Sequence, residues 1–395
     1  MNNTGIKEAA FSCERDHLII RGMQYLPDED AQTKTYPAII VSHGFGGNYT
    51  SNETMCRMLA KRGYAVFSFS FCGGSDIDTK EELKSDGDTV DTTIMTEVSD
   101  LLAVKTYVQQ LPYVDAHSLS LLGISQGGMV TGLAAAQCND EIKKIIMIYP
   151  ALCIPDHARR GCLGGASYDV ENVPEVINCR TILLGKKFHD EAVRMDVFLK
   201  LRPYKGPVLI LQGMEDKIVN YSYAIRAREN YQPGQCQLQL LRNVGHGFNQ
   251  EQEENVVASI HQFLLGRKEL FTIRVVITHR ELAEGENYKE IRTFFTGYCD
   301  NEHFHGTIIP GGCDVRRDYL DGAVSMIADY TMQGIDVEGR RCKVRIVNQQ
   351  IDGEWKPIIE TDSKALAWME NVDATAVLER GNGGPIMRIF GNLFD

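Results

Sequence analysis

Residues 123–127 read Gly123-Ile124-Ser125-Gln126-Gly127, a serine with a glycine two positions away on each side. This G-x-S-x-G pattern is typical of a nucleophile elbow, a sharp turn from a strand into a helix whose strained backbone leaves no room for side chains at the glycine positions. The run "SLSLLGI" directly before Ser125 predicts a buried strand, and "QGGMVTGLAAAQ" directly after it predicts a helix of small residues. This context favours an elbow over the simpler alternative, a turn whose serine merely begins a helix.

The segments on either side of the elbow alternate between apolar runs and helical patterns. Four further runs, "YPAIIVSHG", "YAVFSFSF", "IKKIIMIYP" and "GPVLILQG", are continuously apolar, and "CQLQLLRNV" follows as the last strand of the series. Strands of this kind that alternate with helices are buried on both faces. The pattern therefore predicts an α/β fold with a mostly parallel sheet over residues 1–266.

The alternation stops between about residues 151 and 203, where the sequence is irregular and carries aromatic and cationic residues. An insertion of this size late in a parallel sheet predicts a lid over a site at the carboxyl ends of the strands. The alternative is a surface excursion without a role.

The character of the sequence changes again after Gly266. Short runs of alternating polarity such as "FTIRVVITHRE" and "CKVRIVNQQ" are separated by turn sequences such as "PGGCD". This pattern predicts a second domain over residues 270–395, an antiparallel β-barrel or sandwich.

Composition and charge exclude several classes of function. The chain has 395 residues, a formal net charge of −12 and no long basic block, which argues against nucleic acid or an anionic membrane surface as the main partner. Its 11 cysteines include no C-x-x-C pair, so we expect reduced thiols rather than a disulfide framework or a zinc site. The sequence shows no apolar signal segment and no long apolar run, which predicts a cytoplasmic protein with no membrane partner.

A serine hydroxyl becomes a nucleophile when a histidine, itself held by a carboxylate, removes its proton. In parallel-sheet hydrolases these residues follow in the order serine, acid, histidine. Asp216 lies in the loop after "VLILQG", and His246 lies in the loop after "LQLLRNV". The order and the strand-end positions predict a triad of Ser125, Asp216 and His246. The competing acids are Asp190 and Glu215, and the competing histidines are His43, His189 and His261.

The negative charge that develops on the attacked carbonyl oxygen requires an oxyanion hole made of N–H donors. One donor is expected to be the backbone N–H of Gln126, at the start of the helix after the elbow. The other is expected to be the backbone N–H of Phe45 in the loop "HGFGG", where His43 braces the loop instead of acting as the base. A phosphate-binding loop is the alternative, but the sequence lacks the Walker lysine and the dinucleotide-binding spacing.

The motifs HGFGG, GISQGG, GMEDKIV and GHGF occur in this order, and together they resemble the α/β-hydrolase superfamily. More narrowly, residues 1–266 resemble bacterial cinnamoyl (feruloyl) esterases. The features that carry this resemblance are "SDGDTVDTTIMTEVSDL", the "YPA" after the strand that follows the elbow, and the stretch Tyr168-Asp169. The resemblance implies the same triad and oxyanion donors, and a lid that binds an aromatic acid with Tyr168 and Asp169.

Two observations qualify the resemblance. Such esterases often read F-x-G-H-G-x-S after the third core strand, whereas this chain reads "FCGGSDID", without the histidine. The stretch "HGTIIPGGCDVRRDYLDGAVSMIADYTMQG" resembles a small bacterial and fungal β-barrel domain family, which implies no chemistry. His303, His305 and Asp314 in this domain are candidates for a metal site or a pocket lining. The alternative is that they are ordinary polar residues near a barrel mouth.

Together these features predict a serine carboxylesterase that hydrolyses small aromatic esters of the hydroxycinnamate type and needs no metal or other cofactor. On the same triad, the alternatives are hydrolysis of another acyl ester or a thioester, acyl transfer to an alcohol, and peptide cleavage. A different class of function is a non-catalytic binding or assembly protein with a vestigial triad. The expected partners are a small-molecule ester and a second copy of the chain in a homodimer, because the β domain must bury its strand edges.

Overall fold

The chain consists of two compact units. The computed structural model describes residues 5–27, 34–351, 353–379 and 384–392. One unit is Met1–Val257 and the other is Ala258–Asp395, so the division falls inside the helix Gln250–Leu264, slightly before the predicted boundary. Each unit has its own hydrophobic core.

The first unit is built on a sheet of eight strands with the order β1-β2-β4-β3-β5-β6-β11-β12. Numbered in chain order, with four short strands of the predicted lid included, they are β1 (Lys7–Arg15), β2 (Leu18–Leu26), β3 (Tyr36–Ser42), β4 (Ala65–Phe69), β5 (Val114–Ile124), β6 (Lys144–Ile148), β7 (Cys162–Leu163), β8 (Ala166–Ser167), β9 (Val176–Asn178), β10 (Leu183–Gly185), β11 (Val208–Gly213) and β12 (Cys236–Leu241). The strand β2 runs antiparallel to β1 and β4, and the pairings from β4 to β12 are parallel. The predicted α/β-hydrolase sheet is confirmed.

Helices cover this sheet. They are α1 (Glu53–Ala60), α2 (Ile94–Gln109), α3 (Gln126–Gln137), α4 (Ile154–Arg159), α5 (Lys186–Ala192), α6 (Val197–Leu201), α7 (Ser222–Asn230) and α8 (Gln250–Leu264), with 3₁₀ turns at Glu81–Leu83, Thr89–Asp91 and Asn139–Glu141. Every residue of β4, β6 and β11 is buried, as expected for strands covered on both faces. The helix α3 packs closely because its residues are small: a Cβ at Gly132 would lie 2.5 Å from Leu201 Cδ2.

The insertion between β6 and β11 is more regular than the sequence predicts. It contains α4, α5 and α6 and two small antiparallel hairpins, β7–β8 and β9–β10. These elements span only two to seven residues each, which is too short for a hydrophobic period to be visible in the sequence. Glu191 of α5 accepts hydrogen bonds from Thr93 Oγ1 at 2.8 Å and from the Met95 backbone N–H at 2.9 Å, so the insertion is fastened to the start of α2.

The second unit is a closed antiparallel barrel, which confirms the predicted β-barrel-like domain. Its strands are β13 (Arg267–Glu284), β14 (Tyr288–Asp300), β15 (Phe304–Ile308), β16 (Cys313–Tyr319), β17 (Val324–Asp336), β18 (Arg341–Ile351), β19 (Glu354–Thr361), β20 (Ala374–Glu379) and β21 (Ile386–Asn392), and a 3₁₀ turn spans Ala367–Asn371. Eight strands form the ring β13-β21-β20-β19-β18-β17-β15-β14, which the pairing of β13 with β14 closes. The strand β16 pairs with β14 and β17 beyond the end of β15.

All 11 cysteines are free thiols, five of them partly accessible and six buried. Within the described ranges, no helix is both long enough and apolar enough to cross a membrane.

Candidate active site

Ser125 lies at the turn between β5 and α3, with φ 54° and ψ −117°. A non-glycine residue rarely adopts this left-handed region, and the cost is of order 1–3 kcal/mol. The flanking glycines make the turn possible. A Cβ at Gly123 would lie 2.1 Å from the Gly127 carbonyl oxygen, and a Cβ at Gly127 would lie 2.4 Å from the carbonyl oxygens of Ser42 and His43. The geometry is that of a nucleophile elbow.

The structure brings together the three residues predicted as a triad, although they lie far apart in the sequence. The Ser125 hydroxyl is 2.9 Å from His246 Nε2, and His246 Nδ1 is 2.7 Å from Asp216 Oδ2. The three side chains form one continuous hydrogen-bonded chain at the carboxyl ends of β5, β11 and β12. This arrangement allows His246 to take the proton of the serine hydroxyl while Asp216 holds the opposite ring nitrogen.

Asp216 is held as an ionised carboxylate. Burial raises the pKa of Asp216, but hydrogen bonds from His246 and from the backbone N–H groups of Val219 and Ile218 outweigh it and bring the pKa below its ordinary value of 3.8. Its Oδ1 accepts from these two N–H groups at 2.8 Å each. The buried Gln212 amide donates to Oδ2 at 3.2 Å and to the carbonyl oxygens of Gly213 and Val219. Gln212, which sequence reasoning missed, thus fixes the acid loop.

His43 occupies a structural position. Its Nδ1–H donates to the Gly44 carbonyl at 2.7 Å, and its Nε2 accepts from the Phe71 backbone N–H at 3.1 Å. Burial lowers its pKa to about 4, against the opposing effect of the Gly44 carbonyl. Both ring nitrogens are therefore engaged in holding the loop after β3 against the end of β4.

The loop after β3 lies directly against the serine. A Cβ at Gly44 would come 3.2 Å from Ser125 Cβ and 3.9 Å from its Oγ, so glycine is needed for this approach. Phe45 follows Gly44, and Gln126 begins α3 on the other side of the serine. Within the described residues, neither the Phe45 nor the Gln126 backbone N–H donates a hydrogen bond to another protein group. Both donors are available to an oxyanion, as an oxyanion hole requires.

The side chain of Gln126 points away from that role, into the protein. It is 4% exposed, and its Nε2 donates to both carboxylate oxygens of Glu97 on α2, at 2.8 and 2.9 Å. Burial raises the pKa of Glu97 from 4.5 to about 8, the Gln126 amide opposes the rise, and the charges of Asp100 and Glu191 add to it. Glu97 is not predicted from the sequence, because it meets Gln126 only when α2 packs against α3.

Gly74 occupies the place where the resemblance to cinnamoyl esterases leads one to expect histidine. A Cβ there would lie 2.6 Å from Phe71 Cβ and 3.5 Å from Glu97 Oε1. The backbone of this loop therefore has no room for a larger side chain, which explains the departure from the pattern.

Tyr149, in the "YPA" after β6, is a second strained residue beside the triad. Its φ is 33°, and its ring contacts those of His246 and Phe248 at centroid distances of 4.5 and 5.4 Å. Tyr149 is buried, and burial raises its pKa to about 12, so its phenol is neutral at physiological pH. The ring supports one side of the imidazole.

The two predicted substrate-binding residues differ in their surroundings. The Tyr168 hydroxyl is half-buried and lies 2.7 Å from Nδ1 of the buried His189. Asp169 is exposed, and its Oδ1 accepts the Glu171 backbone N–H at 3.0 Å, as in a turn. The hairpin just before Tyr168 reaches the oxyanion loop, because a Cβ at Gly164 would lie 2.9 Å from Phe45 Cε1.

The competing acids and histidines do not join the Ser125–His246–Asp216 chain. Asp190 and His189 lie on α5, Glu215 is exposed beside Asp216, and His261 lies on α8. In the second unit His305 Nδ1 lies 2.5 Å from Asp300 Oδ1, and the ring centroids of His303 and Trp368 are 5.9 Å apart. Asp314 on β16 lies opposite Ala328 on the adjacent strand β17. Among the described residues, no group of three or more histidine, cysteine or acidic side chains is placed to hold a metal ion.

The sequence model of the dienelactone hydrolase family matches residues 20–294. The chain belongs to the dienelactone hydrolase family. The match includes the elbow, the residues predicted as a triad, the predicted lid and the first strands of the barrel. A search of the curated proteins finds no match.

Solved structures similar to this family member agree in the fold of its first unit. Est1E from Butyrivibrio proteoclasticus, solved with ferulic acid bound, is 27% identical with a TM-score of 0.58, over 65% of this chain and 98% of that chain. A second structure of Est1E gives 26% identity and a TM-score of 0.55, over 65% and 97%. The α/β hydrolase GrgF from a Penicillium species is 16% identical with a TM-score of 0.51, over 65% and 98%, which shows the fold alone. Family and neighbours identify the chain as an α/β ester hydrolase.

Proposed function

We propose that the protein is a serine carboxylesterase that hydrolyses small esters of aromatic acids of the hydroxycinnamate type. The observation that carries the proposal is the hydrogen-bonded chain Ser125–His246–Asp216 at a strained elbow beside two unpaired backbone donors. The similarity to Est1E, solved with ferulic acid bound, supports the aromatic acyl group.

The reaction follows from this geometry in two halves. Ser125 Oγ attacks the ester carbonyl carbon as its proton passes to His246 Nε2, and the backbone N–H groups of Phe45 and Gln126 stabilise the oxyanion. The tetrahedral intermediate collapses, the C–O bond to the alcohol breaks, and His246 gives its proton to the leaving alcohol. Water, deprotonated by His246, then attacks the acyl carbon, the bond between this carbon and Ser125 Oγ breaks, and His246 returns its proton to Oγ as the acid is released. Asp216 keeps Nδ1 protonated and stabilises the imidazolium in both halves.

The lid supports a preference for a phenolic acyl group. Burial raises the pKa of Tyr168 to about 12, so its hydroxyl is neutral and can both donate and accept a hydrogen bond. One of these bonds goes to His189 Nδ1, and the hydroxyl oxygen keeps a lone pair for the phenolic O–H of a hydroxycinnamate. An acyl group without a phenol forfeits this hydrogen bond.

The decisive experiment is Ser125→Ala in the full chain, with methyl ferulate as substrate. We expect kcat to fall by about 10⁶-fold with the melting temperature unchanged, since triad members act as a unit and only the acceleration from binding and the oxyanion hole remains. The matched control is Ser99→Ala, which removes an exposed hydroxyl that donates to the Met95 carbonyl of its own helix. A Ser125→Ala protein with one-tenth of the wild-type turnover would refute the nucleophile.

Simple assays distinguish the proposed esterase from two alternative functions. A binding or assembly protein with a vestigial triad would not react with a fluorophosphonate probe, whereas an activated Ser125 would be labelled. Thioester hydrolysis, acyl transfer or peptide cleavage would appear as a higher kcat/KM on those substrates than on methyl ferulate. The predicted homodimer is tested by light scattering on the full chain.

A further inference from the structure

Glu97 is a buried carboxyl that the proposed chemistry does not use. It is 1% exposed on the first turns of α2, and it accepts both hydrogen bonds from the Gln126 side chain. Gly74 lies beside it, since a Cβ at that position would be 3.5 Å from Oε1. A buried carboxyl is costly unless it has a structural or functional partner, and its partner here is the residue next to the nucleophile.

Gln126 matters because it is the first residue of α3 and carries an oxyanion donor on its backbone. The Ser125 carbonyl, which belongs to the same peptide group as the Gln126 N–H, accepts hydrogen bonds from the backbone N–H groups of Gly128, Met129 and Ala151. The Gln126 side chain is held in addition by Glu97 on α2. Glu97 therefore adds a side-chain anchor to the residue whose N–H is the expected oxyanion donor.

Two other acidic side chains lie near Glu97, and each has partners of its own. Asp100 lies one turn further along α2, where it is paired with Arg15 of β1 at 2.5 Å and accepts the Cys72 backbone N–H. Glu191 of α5 caps the start of α2. The partner of Glu97 is instead the Gln126 amide.

We propose that Glu97 is a positioning residue of the oxyanion hole: its carboxyl holds the Gln126 side chain and so stabilises the position of the Gln126 backbone N–H. The proposal rests on the proposed esterase function. It adds a residue that touches neither substrate nor the reacting atoms and acts on kcat through Gln126.

The test compares Glu97→Gln and Glu97→Leu with the wild-type chain, using methyl cinnamate because it has no phenol that titrates in the assay range. In Glu97→Leu the Gln126 amide loses its partner, and we expect kcat to fall by about tenfold with KM changed less than twofold, a partial form of the roughly 10²–10³-fold loss seen when a donor is removed. In Glu97→Gln the carbonyl oxygen still accepts from Gln126. We expect kcat at pH 7 within about threefold of wild type.

The kcat–KM split and the rescue by glutamine separate positioning from a purely structural role. A positioning loss lowers kcat in a folded protein with little change in KM or melting temperature, and glutamine at position 97 should restore it. Glu82→Gln, an exposed change of the same charge, should keep wild-type kcat and KM. An unchanged kcat in folded Glu97→Leu, or a loss in Glu97→Gln as large as that in Glu97→Leu, would overturn the proposal. Should Glu97→Leu not fold, Glu97→Ala takes its place.

Failure of the esterase proposal would look different. In that case Ser125→Ala keeps its turnover and a fluorophosphonate does not label the wild-type serine. If Ser125 is labelled and required while both Glu97 variants behave as wild type, only the positioning role is wrong.

Discussion

Asp216→Asn is a sharp test of the site because the backbone determines how an asparagine would sit there. Asp216 Oδ1 accepts the N–H groups of Ile218 and Val219, each at 2.8 Å. An asparagine keeps these two hydrogen bonds only if its carbonyl oxygen takes the Oδ1 position. With the side-chain amide rotated by 180°, its NH₂ group would face two N–H donors, so the position of the carbonyl oxygen is fixed.

The fixed orientation then faces the amide NH₂ toward His246 Nδ1, where the carboxylate accepted a hydrogen bond at 2.7 Å. Nδ1 must become the acceptor, and the neutral imidazole carries its proton on Nε2 instead. In that tautomer Nε2 cannot take the proton of Ser125, 2.9 Å away. The Gln212 amide, 3.2 Å from Oδ2, would also meet a donor in place of an acceptor.

The expected loss in kcat is about 10⁴-fold, the effect of the same substitution in a serine protease triad, which corresponds to about 5.5 kcal/mol of transition-state stabilisation. The assay is steady-state hydrolysis of methyl ferulate by the full chain, with circular dichroism to establish folding. Asp190→Asn on α5 is the matched control and should retain wild-type kcat. An Asp216→Asn protein with more than about one-tenth of wild-type kcat, or a large loss in Asp190→Asn instead, would refute the assignment.

The other predictions concern the acyl group, the oxyanion loop, the pH dependence of stability and the barrel. Methyl ferulate should have a higher kcat/KM than a saturated acyl ester of similar size, and Tyr168→Phe should reduce this ratio; equal rates on both esters would reject the aromatic preference. Gly44→Val should lower kcat at least tenfold while the chain stays folded, since a Cβ there lies 3.2 Å from Ser125 Cβ; wild-type kcat would contradict the loop placement. Because burial raises the Glu97 pKa from 4.5 to about 8, the folded chain retains a proton that the unfolded chain releases between these pH values. The free energy of unfolding, measured by denaturant titration, should therefore decrease as the pH rises from about 4.5 to 8, and Glu97→Gln should reduce this decrease. A chain ended after Gly266 should hydrolyse p-nitrophenyl acetate; a folded but inactive product would mean that the barrel supplies a needed group.

The sequence predicts the elbow and the order of the triad because both depend on local or topological rules. Two glycines around Ser125 are a steric requirement visible in five residues, and the strand-end positions of Asp216 and His246 follow from the α/β alternation. The fold class of both units is likewise predictable from hydrophobic period. In each case the physical constraint acts on neighbouring residues or on a whole strand.

The parts that could not be predicted depend on side chains that meet only in the folded chain. Glu97 and Gln126 lie on different helices, and no spacing in the sequence relates them. The same holds for the clamp of Glu191 on α2 and for the Tyr168–His189 contact. The short lid elements lack a visible period, and the pairing of β13 with β14 that closes the barrel is one of several topologies that alternating strands allow.

The position of the nucleophile is set by the sheet rather than by the lid. Ser125 and Tyr149 both have positive φ, at the ends of the adjacent strands β5 and β6. Their backbones are tied to the next strands: the Ser125 N–H donates to the Ile148 carbonyl at 2.9 Å, and the Tyr149 N–H to the Leu211 carbonyl at 2.7 Å. Strained residues persist only where the surroundings over-determine them, and here those surroundings are fully buried strands. Substitutions in the lid should therefore change KM and acyl preference, whereas kcat with a small activated ester should respond to the sheet, the elbow and the oxyanion loop.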